Sequence, residues 1–271
     1  MNYETLIYEK ADGIARITLN RPERLNALGY PMEPEIGLAV DEAANDKDVR
    51  VLIITGAGRG FCAGGDFRYS KLRNGEVSAE EAEIKGEAVP GKLIQRMFRG
   101  ILTLQQMDKP TIAMVNGPAV GGGFDLALAC DIRIGCPNTR FMMAFTRIGL
   151  VPGTGGTWFL PRIVGVPKAL QLLYTGDFVE ADEALKMGLL NELVPVDKLE
   201  SETMALARKL AANPPMSLKL NKFMVYKGLN TDLETALGLS VACLHMCLQS
   251  EDHLEGVRAF AEKRKPVFQG K

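Results

Sequence analysis

The segment 116–131 combines three consecutive glycines with a carboxylate two residues after them, Asp125. An apolar run over 111–115 predicts a buried strand, the glycines at 121–123 follow, and the helix formers from Phe124 onward predict a helix. Glycine lets a ligand approach the backbone closely, and the first amides of a helix carry the positive end of its dipole. Such a turn can hold an anion or a developing oxyanion, and Asp125 lies within one helical turn of it.

A second turn of the same kind occurs earlier in the chain. A buried strand is predicted over 51–55, and the segment 56–66 that follows it is rich in glycine and ends at Asp66. Two such turns in one domain can each supply one N–H group to the same oxygen. The alternative is that the glycines only permit a tight crossing of helix and strand. A dinucleotide site is disfavoured, because 116–131 lacks the complete G-x-G-x-x-G pattern and no acidic residue closes a following strand.

Composition limits the class of protein. The chain has 271 residues, of which 46% are hydrophobic and 24% charged, which suits one large domain or a domain with an appendage. A formal net charge of −1 argues against nucleic acid or an anionic membrane as a partner. No apolar run approaches the roughly 20 residues of a membrane helix, and the N-terminus does not resemble a signal peptide.

The 5 cysteines are odd in number and lack metal-ligand spacing, which favours reduced thiols and a cytoplasmic location. His245 lies between Cys243 and Cys247 on a predicted helix, but packing of that helix explains the pattern better than a metal site.

The order of predicted elements indicates an α/β fold. A hairpin around Asp12-Gly13 opens the chain, strand–turn–helix units follow, and the segment 67–106 predicts a loop leading into a helix that ends near Gln106. After Pro195 the periodicity is helical throughout. We therefore expect a core over 1–197 and a helical region over 198–271. Periodicity alone does not choose between a doubly wound sheet and a spiral.

In combination, these motifs resemble the enoyl-CoA hydratase/isomerase (crotonase) superfamily. The resemblance is carried by the two glycine turns together with the segments 20–28, 149–156, 181–189 and 255–268, so it follows nearly the whole chain in order. It implies a crotonase-like spiral of ββα units with a C-terminal helical oligomerisation region. It also implies homotrimers, often paired into hexamers, and an acyl-CoA thioester as substrate. No cofactor is implied beyond coenzyme A as part of that substrate.

The resemblance assigns roles around the thioester. The N–H groups of Gly65 and Gly122 are expected to hold the oxygen of a thioester enolate. Three basic residues are candidates to contact the CoA phosphates: Arg24, Arg68 and Lys263. The remaining substrate-binding candidates are Ala63 and Asp66 beside the adenine and pantetheine path, Phe260 against the adenine, and Phe145 beside the acyl group.

The chain departs from the two-glutamate pattern of hydratases in this family. The first glutamate falls at Asp125, which keeps the carboxylate on a side chain shorter by about 1.5 Å. The second falls at Phe145, so that carboxylate is missing. One carboxylate can activate a water molecule and return its proton, so we expect Asp125 to be the principal acid/base group. The alternative is that Asp125 only caps a helix.

The reaction is therefore open at this stage, with hydration of an enoyl-CoA as the first expectation. Residues 143–162 also resemble double-bond isomerases of aromatic degradation, although Gly153 stands where many of these carry Asp. The same glycine disfavours dehalogenation. A catalytically silent relative that only binds acyl-CoA is the further alternative. Four large apolar residues favour a bulky or cyclic acyl group: Met142, Met143, Phe145 and Trp158.

Overall fold

A computed structural model describes residues 2–66 and 90–271, and within 90–96 it describes the backbone only. The phosphate-binding candidate Arg68 and most of the predicted loop after Asp66 lie outside the described residues.

Nine strands occur in the described residues. In chain order they are β1 (Leu6–Ala11), β2 (Ile14–Leu19), β3 (Val51–Gly56), β4 (Thr111–Val115), β5 (Pro118–Val120), β6 (Ile132–Gly135), β7 (Arg140–Met142), β8 (Phe178–Glu180) and β9 (Glu192–Leu193). One sheet has the order β1-β2-β3-β4-β6-β9 and the other the order β5-β7-β8. The hairpin pair β1–β2 is antiparallel, and every later neighbour in the larger sheet is parallel.

The helices of the same residues are α1 (Met32–Asn45), α2 (Pro90–Gln106), α3 (Gly122–Ala129), α4 (Gly156–Val164), α5 (Val166–Thr175), α6 (Ala181–Lys186), α7 (Leu199–Ala211), α8 (Pro215–Gly228), α9 (Leu233–Leu248) and α10 (Glu251–Ala261). Short 3₁₀ helices cover Pro22–Arg24, Ala144–Ile148 and Val196–Lys198. After the last of these, the chain forms helices alone, as expected for 198–271, and the proposed boundary itself stays a prediction.

Both faces of the larger sheet are covered, which explains its continuous apolar strands. On β3, Leu52 and Ile54 point into the core cluster that contains α1 and α2. The alternate residues Val51 and Ile53 point into a second cluster, which α7 closes from the other side. The period-two alternation of a strand therefore divides one apolar run between two helical layers.

The strand register brings both glycine turns to one edge of this sheet. Leu19 of β2 lies opposite Gly56 of β3, and Thr55 lies opposite Met114 of β4. These parallel strands consequently end together, and the chain leaves β3 and β4 at the same edge.

The sequence predicted many of the main elements and missed others, among them β5, β7, β8 and β9 and helices α4 to α6. The hairpin, the strands at β3 and β4, the end of α2 at Gln106 and the four C-terminal helices are confirmed. The short strand β5 was not predicted, because its three residues are defined by pairing with the distant β7. With β5 in place, helix α3 begins at Gly122, two residues before the predicted helix formers.

The C-terminal tail is held by hydrogen bonds at the end of the sheet opposite the glycine turns. The carboxylate of Asp252 accepts hydrogen bonds from the amides of Gln269 (2.7 Å) and Gly270 (2.8 Å). Arg50, immediately before β3, donates to the carbonyl oxygen of Phe268 (2.8 Å). Because β3 has six residues, its two ends are roughly 17 Å apart.

Helix α9 carries an apolar surface that nothing in the described chain covers. Leu237, Val241 and Leu244 are 58%, 69% and 59% exposed, and Phe260 of the neighbouring α10 is 88% exposed. None of the described helices is long and apolar enough to cross a membrane. The same residues contain no group of three His, Cys, Asp or Glu side chains suited to a metal ion.

The two glycine turns touch through backbone atoms. A Cβ atom on Gly117 would lie 2.2 Å from the carbonyl oxygen of Arg59, and one on Gly123 would lie 2.2 Å from that of Cys62. Since backbone cannot move aside as a flexible side chain can, only glycine fits at these two positions.

Replacing Gly117 by alanine should therefore strain the contact between the turns. We expect Gly117→Ala to destabilise the fold by about 2–3 kcal/mol, which corresponds to a fall in Tm of at least about 5 °C. The matched control is Gly228→Ala, where the new methyl group meets open space. Thermal unfolding at equal protein concentration measures both, and equal Tm values for the two variants would contradict the proposed tight contact.

Candidate active site

The side chains of two asparagines hold the loop that follows β3 by hydrogen bonds. The side-chain amide of Asn26 donates to the carbonyl oxygens of Ala57 (2.9 Å) and Gly60 (2.8 Å). From the other side, Asn116 donates to the carbonyl oxygens of Gly56 and Gly58, both at 2.9 Å. The sequence marks both asparagines as parts of motifs, but only the structure shows that they hold this loop and thereby the turn that follows it.

The hydrogen bonds of Asn26 and Asn116 help to place Gly64 and Gly65 beside the start of α3. A Cβ atom on Gly64 would lie 3.6 Å from the amide nitrogen of Gly122. Leu28 borders the same turn, since its amide donates to the carbonyl oxygen of Gly64 (2.7 Å) and its own carbonyl oxygen accepts from Asp66 (2.6 Å).

The amides of Gly65 and Gly122 lack a hydrogen-bond acceptor among the described residues. Neither donates to a carbonyl oxygen within residues 2–66 and 90–271. Gly65 is exposed and Gly122 is half-buried, so an external group can reach this point. Two such donors on adjacent turns are able to hold one partially negative oxygen.

Asp125 lies three residues after Gly122 and is completely buried. Its Oδ2 atom accepts a hydrogen bond from the hydroxyl of Thr154 (2.6 Å). Oδ1 has no hydrogen-bond partner among the described residues and lies against the bare backbone of Gly156, where a Cβ atom would be only 2.3 Å away. No side-chain hydrogen bond caps α3, so the alternative that Asp125 caps its own helix is not supported.

Burial raises the pKa of Asp125 from 3.8 to about 6. The Thr154 hydroxyl and the backbone amides of Thr154 and Gly156 lower that pKa again, but they do not offset the loss of solvation. Neither amide reaches full hydrogen-bond geometry, which agrees with the partnerless Oδ1. A carboxyl group with this pKa can both accept and return a proton near neutral pH.

Phe145 places an apolar ring beside the same turn. It lies on the 3₁₀ helix Ala144–Ile148, and its ring atoms are 3.6–3.9 Å from a Cβ atom built on Gly121. The helix is fixed to α5 by the hydroxyl of Thr146, which donates to the carbonyl oxygen of Leu173 (2.6 Å). An aromatic ring therefore occupies the position that the resemblance assigns to a second carboxylate.

The candidates for CoA binding divide into two groups. Asp66 accepts from Arg21 at 3.2 Å and from the exposed Arg24 at 3.5 Å, so both Arg24 and Asp66 lie close to Gly65. Ala63 lies in the same group as Arg24 and Asp66, because its amide donates to the carbonyl oxygen of the neighbouring Leu25 (2.9 Å).

Phe260 and Lys263 are not brought to this group within one chain. They follow Gly256, which packs against Phe268, and the carbonyl oxygen of Phe268 is bonded to Arg50 at the far end of β3. Both residues are exposed.

Comparison with known proteins places this geometry in a family. A family model described as enoyl-CoA hydratase/isomerase matches residues 9–271. The chain belongs to the enoyl-CoA hydratase/isomerase family. A crotonyl-CoA hydratase of Syntrophomonas wolfei is 39% identical, and a 1,2-epoxyphenylacetyl-CoA isomerase of Escherichia coli is 35% identical; in both cases the match covers 99% of each chain.

The fold of the family is confirmed as well. The crystal structure of an enoyl-CoA hydratase from Bacillus anthracis matches 99% of this chain and 100% of its own, with a TM-score of 0.89 and 32% identity. The crotonase-like α/β spiral predicted from the sequence is therefore the fold of this member of the enoyl-CoA hydratase/isomerase family. Because relatives carry the names of both hydratases and isomerases, membership establishes an acyl-CoA enzyme and leaves its reaction to be argued from the site.

The raised pKa of Asp125 predicts a pH-dependent cost to stability. Above about pH 6 the folded chain holds a buried charge, whereas below about pH 4 the group is neutral in both folded and unfolded chains. Asp125→Asn should thus raise the free energy of unfolding at pH 8 by up to about 3 kcal/mol, and this gain should shrink as pH falls from about 6 to about 4.

Denaturant unfolding across that pH range tests the expectation, with the exposed Asp197→Asn as the matched control. A difference between Asp125→Asn and the parent chain that stays constant with pH, or that grows toward acid, would show that burial does not raise this pKa.

Proposed function

We propose that the chain is an enoyl-CoA hydratase that adds or removes water across the C2–C3 double bond with Asp125 as its single acid/base group. The observation that carries the proposal is the buried carboxylate three residues after the Gly122 amide, with one oxygen that has no partner among the described residues. A lone proton-exchanging group beside two amides that can donate to one oxygen is the minimum that chemistry at C2 of a thioester requires.

The proposed reaction divides the charges between these groups. Asp125 takes a proton from water as the water oxygen bonds to C3, and the electron pair of the C2–C3 bond moves toward the carbonyl. The thioester oxygen gains the negative charge and is held by the amides of Gly65 and Gly122, each of which typically contributes about 3 kcal/mol to such a transition state. The enolate then takes the proton from Asp125 at C2. Water and enoyl-CoA are the only reactants, so the reaction needs no separate cofactor.

Phe145 supports a second candidate, an enoyl-CoA double-bond isomerase. Its ring contacts the Gly121 turn where a second carboxylate would otherwise help to hold water. With water excluded, Asp125 alone can carry a proton from C4 to C2 of the same substrate and shift the double bond from C2–C3 to C3–C4. The relative from Escherichia coli bears an isomerase name.

The acyl group is proposed to be bulky and apolar. Met143 reaches Gly156 beside the Asp125 carboxylate, and Phe145 covers Gly121, so both large side chains border the reacting position. Trp158 contributes less directly, because its ring packs against the Arg162 guanidinium at 4.0 Å and stacks with Tyr226.

Binding of the CoA part is proposed to use two chains. Arg24, Ala63 and Asp66 lie beside the turn of their own chain, whereas Phe260 and Lys263 would reach a site only as part of a neighbouring copy. The exposed apolar surface of α9 supports such an assembly, a homotrimer or a hexamer, because a monomer would leave that surface in water.

Turnover of a panel of linear and cyclic enoyl-CoA esters in H₂¹⁸O distinguishes the reactions. A hydratase yields a product that carries one ¹⁸O atom, an isomerase yields a product of unchanged mass with a moved double bond, and a silent binder retains the thioester unchanged. We expect ¹⁸O incorporation, and Asp125→Asn should lower kcat by about 100-fold or more. Asp197→Asn is the control; turnover by Asp125→Asn within a few-fold of the parent chain would remove Asp125 from the chemistry.

Light scattering tests the assembly. We expect a mass near three or six times 29.5 kDa. A charge at Leu237 of α9 should lower this mass, because it would be buried between copies without a partner. The control is Leu38→Glu, which changes an exposed apolar residue on α1. A stable monomer of the parent chain, or equal masses for Leu237→Glu and the parent, would contradict the proposed interface.

A further inference from the structure

We propose that Thr154 is the positioning residue of the acid/base group: its hydroxyl fixes Oδ2 of Asp125, so that Oδ1 is the oxygen that exchanges the proton. The inference rests on the proposed function only in taking Asp125 as that acid/base group. Thr154 is outside the set of residues that the sequence motifs singled out.

The geometry gives the carboxylate one directional side-chain contact. The Thr154 hydroxyl donates to Oδ2 at 2.6 Å, and within the described chain no other side chain bonds either oxygen. An aspartate carboxylate can rotate about its Cβ–Cγ bond, because torsions of this kind have broad minima. A single short hydrogen bond is therefore sufficient to decide which oxygen faces which way.

Orientation is decisive here because the side chain is short. An aspartate reaches about 1.5 Å less far than a glutamate, so less error in direction can be absorbed by its own flexibility. Thr154 itself is half-buried, whereas Asp125 is completely buried. The threonine thus connects the loop before α4 to a carboxylate that no other polar side chain of the described residues holds in place.

The same bond also limits the rise in the pKa of Asp125. A hydroxyl that donates to a carboxylate favours the charged form, and it is the largest of the contributions that oppose burial. No charged side chain of the described residues contributes to this shift.

Among the side chains that the structure describes, the charged groups on the helices packed against α3 are engaged elsewhere. Arg99 on α2 pairs with Asp41 at 3.0 Å, and Arg162 on α4 lies over the ring of Trp158. The titratable groups near the start of α3 include Cys62, which contacts Gly123. Burial raises the pKa of that cysteine, and the charge of Glu33 raises it further. Loss of the Thr154 hydroxyl would therefore leave burial opposed by the two backbone amides alone.

Two substitutions separate the hydroxyl from the shape of the side chain. Thr154→Val keeps the shape and removes the donor, whereas Thr154→Ser keeps the donor. We expect Thr154→Val to raise the pKa of Asp125 by about one pH unit and to lower kcat by about tenfold or more. KM should change little, because among the described residues no hydrogen bond joins Thr154 to Arg24, Ala63 or Asp66. Thr154→Ser should keep kcat and the pKa of Asp125 near those of the parent chain.

Two readouts keep this inference distinct from the proposed function. A pH profile of kcat/KM follows the reacting enzyme, and ¹³C NMR titration of labelled aspartate carboxyls, with Asp125→Asn to assign the signal, follows the carboxylate without any turnover. If the parent chain turns over no enoyl-CoA, the proposed function fails, while the titration still decides whether Thr154 controls Asp125.

The inference is overturned if the ¹³C titration of Asp125 is the same in Thr154→Val and the parent chain. A fall in kcat without a shift of that titration also overturns it, because the hydroxyl would then lie in the proton path instead of positioning the carboxylate. A pH profile of Thr154→Ser that differs from that of the parent chain would also contradict the inference. Melting temperatures of all variants establish that each is folded under the assay conditions.

Discussion

The site depends on backbone contact between the turns after β3 and β4. Gly117 lies on the carbonyl oxygen of Arg59, and Gly123 lies on that of Cys62, with no side chain between them. This contact sets the spacing between the turns that carry Gly65 and Gly122, because the strands that lead into the two turns are parallel neighbours in one register. The proposed oxyanion site consists of backbone donors and has no side chain that can adjust, so its precision must come from packing of the chain against itself.

Asp125 shows how the same packing positions the proposed acid/base group. The helix that places Gly122 at the turn also carries Asp125 into the core one turn later, where burial opposes its charge. Such a group costs stability at neutral pH. The covered parallel sheet, with apolar strands divided between two helical layers, is the source of stability that offsets this cost. The reactivity of the carboxyl and the stability of the core are thus linked through one helix.

Sequence reasoning identified what local patterns encode, and it missed what distant contacts decide. The strands, the glycine turns and Asp125 follow from apolar periodicity and residue type, and the ordered motifs identified the family. Strand β5, the hydrogen bonds of Asn26 and Asn116, and the bond from Thr154 to Asp125 each join segments far apart in the chain. The balance between burial and the helix dipole at Asp125 was undecidable from sequence for the same reason, since it depends on which groups surround the carboxylate.

The proposed reaction relies on a single carboxylate. Phe145 and Gly153 stand where the resemblance would place two others, so in this proposal Asp125 must both take and return a proton. A single carboxylate can do so only if one of its oxygens stays free while the other is held, since rotation between the two would misdirect the short side chain. Thr154 on Oδ2 and bare glycine backbone beside Oδ1 provide that asymmetry. Both candidate reactions require it, and they differ only in whether water can enter beside the ring of Phe145.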